Sequence, residues 1–519
     1  MISKGTRIAA LFVLFTPTWS NAQLSFGGRP LGTDRRAALP EAPVEVMPEV
    51  NVQAYLAEDE AHAASGIKGP YRFGAKHAVD LGLENSGIWH TLSNGDRVWR
   101  LGIRCPGAYS INFEFHEFVV PDGAQVFVYN DEGDVLGAFE ADSDPGHDQL
   151  GVDLLGGDRI TIEYMEPLRV RGMGRLRVGQ VTHGYRDILN RNKGLNDSGT
   201  CNNNVICPEG DPWRDQIRSV AMIVVSGDGI CTGQLINNCN NDGIPYFLTA
   251  NHCLGGTNWV FRFNWNSPTC TPTTNGSNNS TSGFTLLENS TSSDVALLRL
   301  NTTPPPLYNA FYTGWNRGTT AATSATCIHH PAGDIKKISF EQQSVSTGTY
   351  NGATCWRVAA WDDGTTEGGS SGSGLWNQDG LLVGQLFGGQ ADCDFNFNDY
   401  FGKFSVSAPL LEEWLGDCGT TLQGYSPFST AVGRLPDQGL ITLAPNPTQG
   451  LLRVLVPVGV EGAMELRVTD ATGRTVQQRT IPAGTTQVEV DLSDRASGLY
   501  HVELATDILR MHESIVVEH

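Results

Sequence analysis

Residues 247–253 read FLTANHC, an apolar run that leads into a polar turn ending in His252 and Cys253. An apolar run of this length followed by a turn predicts a buried strand. The strand would hold His252 at its end, and the adjacent cysteine could fix the turn. His252 is therefore a candidate general base, although a lone histidine is more often a structural core residue.

Residues 368–374 read GGSSGSG, a turn built only of small residues. Glycines in such a turn allow backbone N–H groups to approach a substrate carbonyl closely. Ser371 is the candidate nucleophile, and Gly369 and Ser371 are the natural pair of N–H donors for a developing oxyanion. A turn of glycine and serine is weak evidence when it stands alone.

Residues 293–298 read SDVALL, so Asp294 lies where an apolar strand begins. Burying an unpaired carboxylate is costly, and a histidine N–H would satisfy it. A simple turn residue at the strand end is the alternative interpretation. Taken together, the three stretches predict a triad in which Asp294 fixes the tautomer of His252. His252 then takes the Ser371 proton and returns it to the leaving amine.

The whole chain has 519 residues, a formal net charge of -21 and eleven cysteines. Its length predicts several domains, and its acidity argues against nucleic acid as a partner. Residues 1–22 have a basic start, a short apolar run and a small-residue end, which is typical of a secretory signal peptide. We expect export, no transmembrane segment in the mature chain, and cysteines that form disulfides.

Composition divides the remainder of the chain into three regions. From about residue 48 to residue 190, alternating apolar and polar stretches separated by glycine turns predict an antiparallel β-sandwich, with Cys105 as its one cysteine. Residues 194–425 hold the other ten cysteines, short strands and one helix from about Ala408. After a linker at 426–439, residues 440–519 contain no cysteine and predict a small sandwich.

The middle region resembles the bacterial lysyl endopeptidases, a trypsin-like branch of the chymotrypsin superfamily. The resemblance is carried by stretches distributed over most of 194–418: CNNNVICPEGDPWRDQIRSVA, CTGQLINN, YFLTANHC, SDVALLRL, CIHHPAGDIKKIS, GSSGSGLW and GQLFGG. It implies a mainly β chymotrypsin-like fold of two six-stranded antiparallel barrels, with the active site between them. It also implies that His252, Asp294 and Ser371 are the catalytic residues.

The resemblance further implies three disulfides, which are Cys201–Cys393, Cys207–Cys270 and Cys231–Cys253. Four cysteines of the region remain. We expect Cys327–Cys355 as an additional bridge and Cys239–Cys418 by elimination. Cys105 is then left as a buried thiol of the first region.

Specificity can also be argued from charge. In ordinary trypsins the acid of the specificity pocket lies six residues before the nucleophile, and Thr365 occupies that position here. The resemblance instead places the pocket acid at Asp399, next to Gly388 and Phe387. A buried carboxylate there would favour a substrate Lys or Arg. The family prefers Lys and has histidine where this chain has Phe387, which leaves exclusive Lys preference open.

Residues 191–194 read RNKG and precede Cys201, the first cysteine of the middle region. Cleavage after Lys193 would give a mature chain that begins at Gly194, and a Lys-specific enzyme could make that cut itself. In trypsin-type zymogens an aspartate before the nucleophile pairs with the new amino terminus, but Ser370 stands there. We therefore interpret residues 23–193 as a propeptide that assists folding or blocks the cleft.

The last region resembles the sorting domains of the type IX secretion pathway. The matching stretches are LAPNPTQGLLRV at 443–454, SGLYHVEL at 497–504 and SIVVEH at 514–519. We expect this region to be recognised by the type IX machinery. An adhesive or carbohydrate-binding sandwich is the alternative.

The sequence thus predicts a monomeric, secreted serine endopeptidase that cuts after Lys, with Arg as a further possibility, and that needs no cofactor or metal. His329 and His330 are adjacent on a predicted strand and face opposite ways, so they are not expected to share a metal. Two alternatives stay open. One is a serine peptidase of the same fold with another specificity, and the other is a non-catalytic adhesin or binding protein built on that fold.

Overall fold

In a computed structural model of the chain, the described residues are 28–34, 39–65, 69–143, 147–189, 198–256, 258–272, 279–427, 442–445, 447–455, 464–470, 474–482, 485, 487–505 and 510–518. The predicted signal peptide at 1–22 and the predicted cleavage site at Lys193 and Gly194 lie outside them. Contacts divide the chain into two compact units, Met1–Pro427 and Phe428–His519.

The first unit begins with a β-sandwich, called here the N-terminal sandwich. Its elements in chain order are β1 (Val44–Val46), α1 (Val52–Ser65), β2 (Tyr71–Arg72), β3 (Gly74–Gly82), β4 (Ile88–Thr91), β5 (Arg97–Arg104), β6 (Ser110–Val119), β7 (Gln125–Asn130), β8 (Val135–Phe139), β9 (Leu150–Gly156), β10 (Arg159–Glu166) and β11 (Arg175–Gly184).

Two sheets form this sandwich. One has the order β1-β5-β10-β7-β8 with β4 added to β5, and the other has the order β3-β11-β6-β9. Their apolar side chains, including Leu101, Phe113 and Ile162, form one core, as expected when alternate residues of each strand face inward. The sandwich predicted from the alternating stretches is therefore confirmed. Cys105 is buried in its core.

The rest of the first unit forms two barrels. Its elements are β12 (Asn203–Asn204), α2 (Arg214–Ser219), β13 (Val220–Val225), β14 (Gly229–Leu235), β15 (Tyr246–Ala250), β16 (Val260–Phe263), β17 (Asn279–Ser282), β18 (Phe284–Ser290), β19 (Val295–Leu300), β20 (Trp315–Asn316), β21 (Ala325–His329), β22 (Lys337–Glu341), β23 (Ser346–Tyr350), β24 (Ala353–Ala360), β25 (Gly374–Asn377), β26 (Leu382–Gly389), β27 (Phe397–Lys403), α3 (Phe404–Leu415) and β28 (Thr421–Leu422).

Each barrel is built on one sheet. The sheet of the first barrel has the order β17-β16-β13-β14-β15-β19-β18, and that of the second has the order β12-β22-β21-β25-β26-β27-β24-β23, with β20 and β28 attached. Phe247 and Phe261 belong to the core of the first barrel, and Trp356 and Phe401 to the core of the second. The predicted chymotrypsin-like double barrel is confirmed.

A third apolar cluster fills the seam between the barrels. It combines Leu248 and Leu297 of the first barrel with Trp376 of the second. Helix α3 begins at Phe404 rather than near the predicted Ala408, and Phe404 packs into the same cluster. The seam fixes the two barrels against each other, and the loops at its edge are therefore held in place.

The structure contains four disulfides, and one cysteine prediction is wrong. The bridges are Cys201–Cys393, Cys207–Cys270, Cys231–Cys253 and Cys239–Cys418. Cys327 and Cys355 are buried free thiols. They lie on β21 and β24, which are separated in the sheet by three strands, so their side chains enter different clusters. A disulfide needs Cα atoms within about 7 Å.

The N-terminal sandwich packs against the first barrel. Strand β2 pairs with Gly229 and Ile230 of β14, beyond the part of β14 that pairs with β15. Phe73 and Leu154 of the sandwich share one apolar cluster with Met222, Val260 and Trp265 of the barrel. This cluster is called here the shared cluster. Because it draws on both parts, the sandwich and the barrel complete each other's packing.

The second unit is a small β-sandwich. Its strands are β29 (Thr442–Ala444), β30 (Leu451–Leu455), β31 (Met464–Asp470), β32 (Thr475–Ile481), β33 (Gln487–Asp491), β34 (Gly498–Ala505) and β35 (Arg510–Val517). A sheet of order β29-β30-β33 and a sheet of order β32-β31-β34-β35 enclose a core that includes Leu452, Leu466 and Val502. Over the described residues of the whole chain, every helix is too short or too polar to span a bilayer.

Candidate active site

His252 and Asp294 are brought together by two paired strands. Strand β15 ends at Ala250, which pairs with Val295 at the start of β19. His252 follows in a 3-10 turn, Asn251–Cys253, and Asp294 precedes β19. Asp294 Oδ2 lies 2.7 Å from His252 Nδ1, and Asp294 Oδ1 accepts the His252 backbone N–H at 2.9 Å. The carboxylate therefore fixes both the ring and the backbone of the histidine.

Asp294 is almost fully enclosed. Its side chain is 2% exposed, against 10% for His252. Burial raises the pKa of Asp294 above 3.8, and the hydrogen bonds from His252 act in the opposite direction. Gln385 fixes the backbone just before Asp294, since its Nε2 donates a hydrogen bond to the Ser293 carbonyl at 2.6 Å. A buried carboxylate paired in this way can stabilise positive charge on the imidazole.

Ser371 lies between the two barrels. Its carbonyl accepts the Thr232 N–H of β14 at 2.8 Å, and the N–H of the next residue, Gly372, donates to Leu386 of β26 at 2.9 Å. Cys253 Sγ lies 3.9 Å from the Ser371 carbonyl oxygen. The serine is thus held beside the disulfide that anchors the His252 turn.

The ring of His252 has one unused nitrogen. Its Nε2 is buried without a hydrogen-bond partner among the described residues, so the Nε2 bond to Ser371 Oγ that a triad needs is not formed in this structure. Catalytic hydrogen bonds are often long in the absence of substrate and tighten when it binds. The hydrogen bond between His252 Nδ1 and Asp294 is therefore formed, and His252 Nε2 is left to bond Ser371 Oγ when substrate binds.

Two backbone donors next to Ser371 are also unused. Gly369 has a φ of +95°, and a Cβ there would lie 2.8 Å from the His330 carbonyl oxygen, so the turn requires glycine. Within the described part of the chain, neither the Gly369 N–H nor the Ser371 N–H donates a hydrogen bond. Both are available to a developing oxyanion.

Asp399 is buried on β27 at 1% exposure. Its Oδ2 accepts hydrogen bonds from Trp361 Nε1 at 2.8 Å and from Thr366 Oγ1 at 2.7 Å. Gly389 is its partner on β26, and a Cβ at 389 would come within 2.0 Å of Asp399 Oδ1. The backbone therefore passes directly over the carboxylate.

Ser371 and Asp399 line one cavity of about 770 Å³, together with Leu386 and Gly388 of β26. Phe387 does not border it. Successive side chains of a strand point to opposite sides, and the Phe387 ring stacks on the His252 ring with centroids 6.3 Å apart and planes at 18°. Where the resemblance assigned Phe387 to specificity, the structure places it against the histidine.

Several residues of the site gave no signal in the sequence. Trp361 and Thr366, which hold Asp399, belong to none of the motifs found in the sequence. The cavity is also lined by Gly69, Tyr71 and Arg72, which lie in the N-terminal region where no catalytic motif was found in the sequence. Only the tertiary structure brings these residues to Ser371.

The two adjacent histidines point in different directions, as predicted. His329 Nδ1 lies 2.8 Å from Ser370 Oγ, and His330 Nδ1 lies 2.9 Å from the Asp334 carbonyl oxygen. The Ser370 hydroxyl is thus engaged by His329. Among the described residues, no three His, Cys, Asp or Glu side chains come together as a metal site requires.

Comparison with known proteins gives two family matches. Residues 195–402 match the lysyl endopeptidase C-terminal domain, and residues 442–518 match the secretion system C-terminal sorting domain. A lysyl endopeptidase of Pseudomonas aeruginosa is 32% identical over 358 residues, which cover 61% of this chain and 75% of that protein.

Solved structures were compared as well. A Glu endopeptidase in complex with MPD aligns at 18% identity over 43% of this chain and 99% of its own, with a TM-score of 0.29. The active form of a protease from M. tuberculosis aligns at 16% identity over 41% of this chain and 86% of its own, with a TM-score of 0.28.

Proposed function

Because the chain belongs to the lysyl endopeptidase family of serine endopeptidases, we propose that it hydrolyses peptide bonds on the carboxyl side of lysine. The observation that carries this proposal is the cavity that Ser371 and Asp399 share. The nucleophile stands beside it and a buried carboxylate lies in its wall. A carboxylate in that wall can form a charge-assisted hydrogen bond with the ammonium group of a substrate lysine, and this bond is strong because the site is buried.

Lysine suits this cavity better than arginine. The Asp399 carboxylate already accepts two hydrogen bonds on Oδ2, and Gly389 lies against Oδ1. A planar guanidinium needs a carboxylate that offers both oxygens side by side, whereas an ammonium is a compact charge that can approach from one direction. Arginine is expected as a poorer substrate.

In the proposed reaction Ser371 Oγ attacks the carbonyl carbon of the lysine residue while His252 Nε2 takes the hydroxyl proton. Asp294 stabilises the imidazolium and holds Nδ1–H. The N–H groups of Gly369 and Ser371 stabilise the oxyanion. His252 then protonates the leaving amine, and water hydrolyses the acyl-enzyme by the same steps in reverse.

We infer that residues 23–193 form a propeptide and that the enzyme itself cuts after Lys193, which lies outside the described residues. The shared cluster supports an assisting role in folding, because the first barrel buries Met222 and Trp265 against the sandwich. The C-terminal match to a sorting domain, together with four disulfides, indicates an exported protein. The type IX machinery is its proposed export partner.

Labelling with a serine-directed fluorophosphonate tests whether the chain is an enzyme or a silent binding protein. The processed chain should be labelled and Ser371→Ala should not. Ser373→Ala is the matched control, because Ser373 lies in the same turn but bonds Cys327 Sγ at 3.2 Å, and it should still be labelled. Absence of label on the processed wild type would favour the adhesin alternative.

Matched peptides that differ only in Lys, Arg or Glu before the cut bond test specificity. We expect kcat/KM for Lys to exceed that for Arg by about tenfold or more and that for Glu by far more, since each factor of ten corresponds to about 1.4 kcal/mol. Preference for Glu would establish the other-specificity alternative.

A further inference from the structure

Residues 69–72, which end in β2 of the N-terminal sandwich, line the candidate active site. Gly69, Pro70 and Tyr71 border the same cavity as Ser371 and Asp399. Strand β2 pairs antiparallel with β14, in the register Tyr71 with Ile230 and Arg72 with Gly229. The segment thus enters the cleft as an extended peptide paired with the part of β14 that β15 does not cover.

The two halves of a substrate can be located from the residues around Ser371. Gly389 of β26 is paired with Asp399, so the side chain of the cleaved residue, and the residues before it, lie on the β26 side. Thr232 of β14 holds Ser371 from the other barrel through the Ser371 carbonyl. Because the residues before the cut bond take the β26 side, the residues after it leave on the opposite side of Ser371, towards β14.

The chain direction of β2 matches that of the substrate half after the cut bond. Since the pairing is antiparallel, the chain moves away from Cys231 and Thr232, and hence away from Ser371, as it runs from Gly69 to Arg72. A peptide on the leaving-group side of the cut bond has this same polarity. In the sequence the residue before Gly69 is Lys68, which lies outside the described residues.

Glycines on the protease side make room for the segment. A Cβ at Gly229 would lie 2.6 Å from Pro70 Cβ, and a Cβ at Gly368 would lie 3.0 Å from Tyr71 Cδ2. Pro70 and the Tyr71 ring thus pack directly on backbone. Larger residues at 229 or 368 would exclude a peptide from this place.

Helix α1 braces the segment from outside. Asp59 accepts a hydrogen bond from Arg72 Nε at 2.8 Å and one from Arg186 Nη2 at 2.9 Å. Arg186 Nε donates to the Arg72 carbonyl at 3.1 Å, and its guanidinium lies 5.0 Å from the Tyr71 ring centroid. All of these residues precede Lys193, so the contacts keep β2 fixed to the N-terminal sandwich whether or not the chain is cut there.

We propose that residues 69–72 bind as a mimic of the leaving-group half of a substrate. In this proposal the edge at Gly229 and Ile230, with Gly368 beside it, is the site where extended peptides bind after the cut bond. The precursor fills that site with its own chain. The N-terminal sandwich therefore continues to inhibit after the link at Lys193 is cut. The inference rests on the proposed Lys-directed acyl transfer.

Acyl transfer to a peptide amine tests the site. Mature enzyme prepared from the full chain is given an Nα-acyl lysine ester together with the amide of Gly-Pro-Tyr-Arg, the sequence of residues 69–72. The peptide amino group attacks the acyl carbonyl, a Lys–Gly amide bond forms, and the Ser371 ester bond breaks. The amine proton passes through His252 to Ser371 Oγ. The amide of Gly-Pro-Ala-Arg is the matched control.

We expect a ratio of aminolysis to hydrolysis about fivefold higher for the tyrosine peptide, because the ring buries against Gly368. Equal ratios, with the ester still consumed, would overturn the inference and leave the proposed function intact. An enzyme that consumes arginine or glutamate esters but no lysine ester would overturn the proposed function first.

Variants of the full chain give a second readout. After processing, Tyr71→Ala should hydrolyse a lysine peptide extended by four residues beyond the cut bond about fivefold faster than the wild-type complex. Tyr71→Phe, which keeps the ring, should remain inhibited. If the alanine variant is as inhibited as the phenylalanine variant, residues 69–72 do not hold the leaving-group side.

Discussion

Asp153 of the N-terminal sandwich and Arg262 of the first barrel form a buried ion pair, with 3.1 Å between Oδ2 and Nε and side chains 2% and 1% exposed. The pair crosses the interface that also contains the shared cluster. A buried pair adds little net stability when it is intact, but loss of one partner leaves a charge without compensation. The interface is therefore sensitive to substitution on either side.

Asp153→Ala should destabilise the precursor by about 3 kcal/mol, since Arg262 would lose a buried partner. Urea unfolding in a Ser371→Ala background, where the proposed self-processing could not occur, measures this effect. Asp131→Ala is the control, because Asp131 lies on the surface of the same sandwich at 69% exposure. The control should cost less than about 0.5 kcal/mol. Equal effects of the two substitutions would show that the ion pair does not support the interface.

The interface should weaken as pH rises from the acidic range. Burial raises the pKa of Glu114 above 4.5 and that of Asp228 above 3.8, while Asn258 beside Glu114 and Lys76 beside Asp228 act in the opposite direction. His116 also faces Glu114. A raised carboxyl pKa means that the bound state holds more protons, so its stability is complete below the ordinary pKa and falls as pH passes the raised one.

Sedimentation of the processed, fluorophosphonate-blocked complex at several pH values measures this dependence. We expect the sandwich to dissociate more readily at neutral pH than near pH 4.5. The double variant Glu114→Gln, Asp228→Asn should lose most of the dependence. Tighter association with rising pH would contradict the assignment of these two carboxyls.

Asp399→Asn should lower kcat/KM for lysine substrates by about a thousandfold, because the substrate ammonium would be buried without a countercharge. Asp392→Asn is the matched control, since Asp392 borders the same cavity but is exposed. It should change kcat/KM by less than about threefold. Steady-state kinetics on one lysine peptide compares them, and a similar loss in both would mean that overall cavity charge, not the buried carboxylate, selects lysine.

Asp294→Asn should reduce kcat by about ten thousandfold. The amide keeps the shape of the carboxylate but places an N–H group towards His252 Nδ1, which favours the wrong tautomer. The kcat for a lysine amide, with urea unfolding as the check on folding, separates this from a structural effect. A loss below about tenfold would remove Asp294 from the proposed mechanism.

Thiol titration tests the correction to the cysteine pairing. The denatured, unreduced chain should show three thiols, from Cys105, Cys327 and Cys355. In the native chain they should react slowly, because burial raises the pKa of Cys105 to about 12 and that of Cys355 to about 11 and only the thiolate is reactive. A single thiol in the denatured chain would restore the Cys327–Cys355 bridge.

Sequence reasoning succeeded where a residue's local context carried a physical cost. Asp294 lies at the start of an apolar strand, where a buried carboxylate requires a partner. His252 follows another apolar strand, and an imidazole N–H can be that partner, so the contact between the two side chains could be predicted. Cys327 and Cys355 could not be paired correctly, because their separation depends on the order of strands in the sheet. The role of Tyr71 depends on a sheet edge more than 150 residues away in the sequence, and no local pattern reports it.

The shared cluster would determine the stability of the two barrels after the proposed removal of the N-terminal sandwich. Met222, Val260 and Trp265 then face water, at a cost of about 25 cal/mol for each Å² of apolar surface uncovered. If the two barrels unfolded without the sandwich, the sandwich side chains that complete this packing would be absent during refolding. Unfolding of the processed protease would then be irreversible. The working lifetime of the processed enzyme would then be governed by the height of its unfolding barrier rather than by its equilibrium stability.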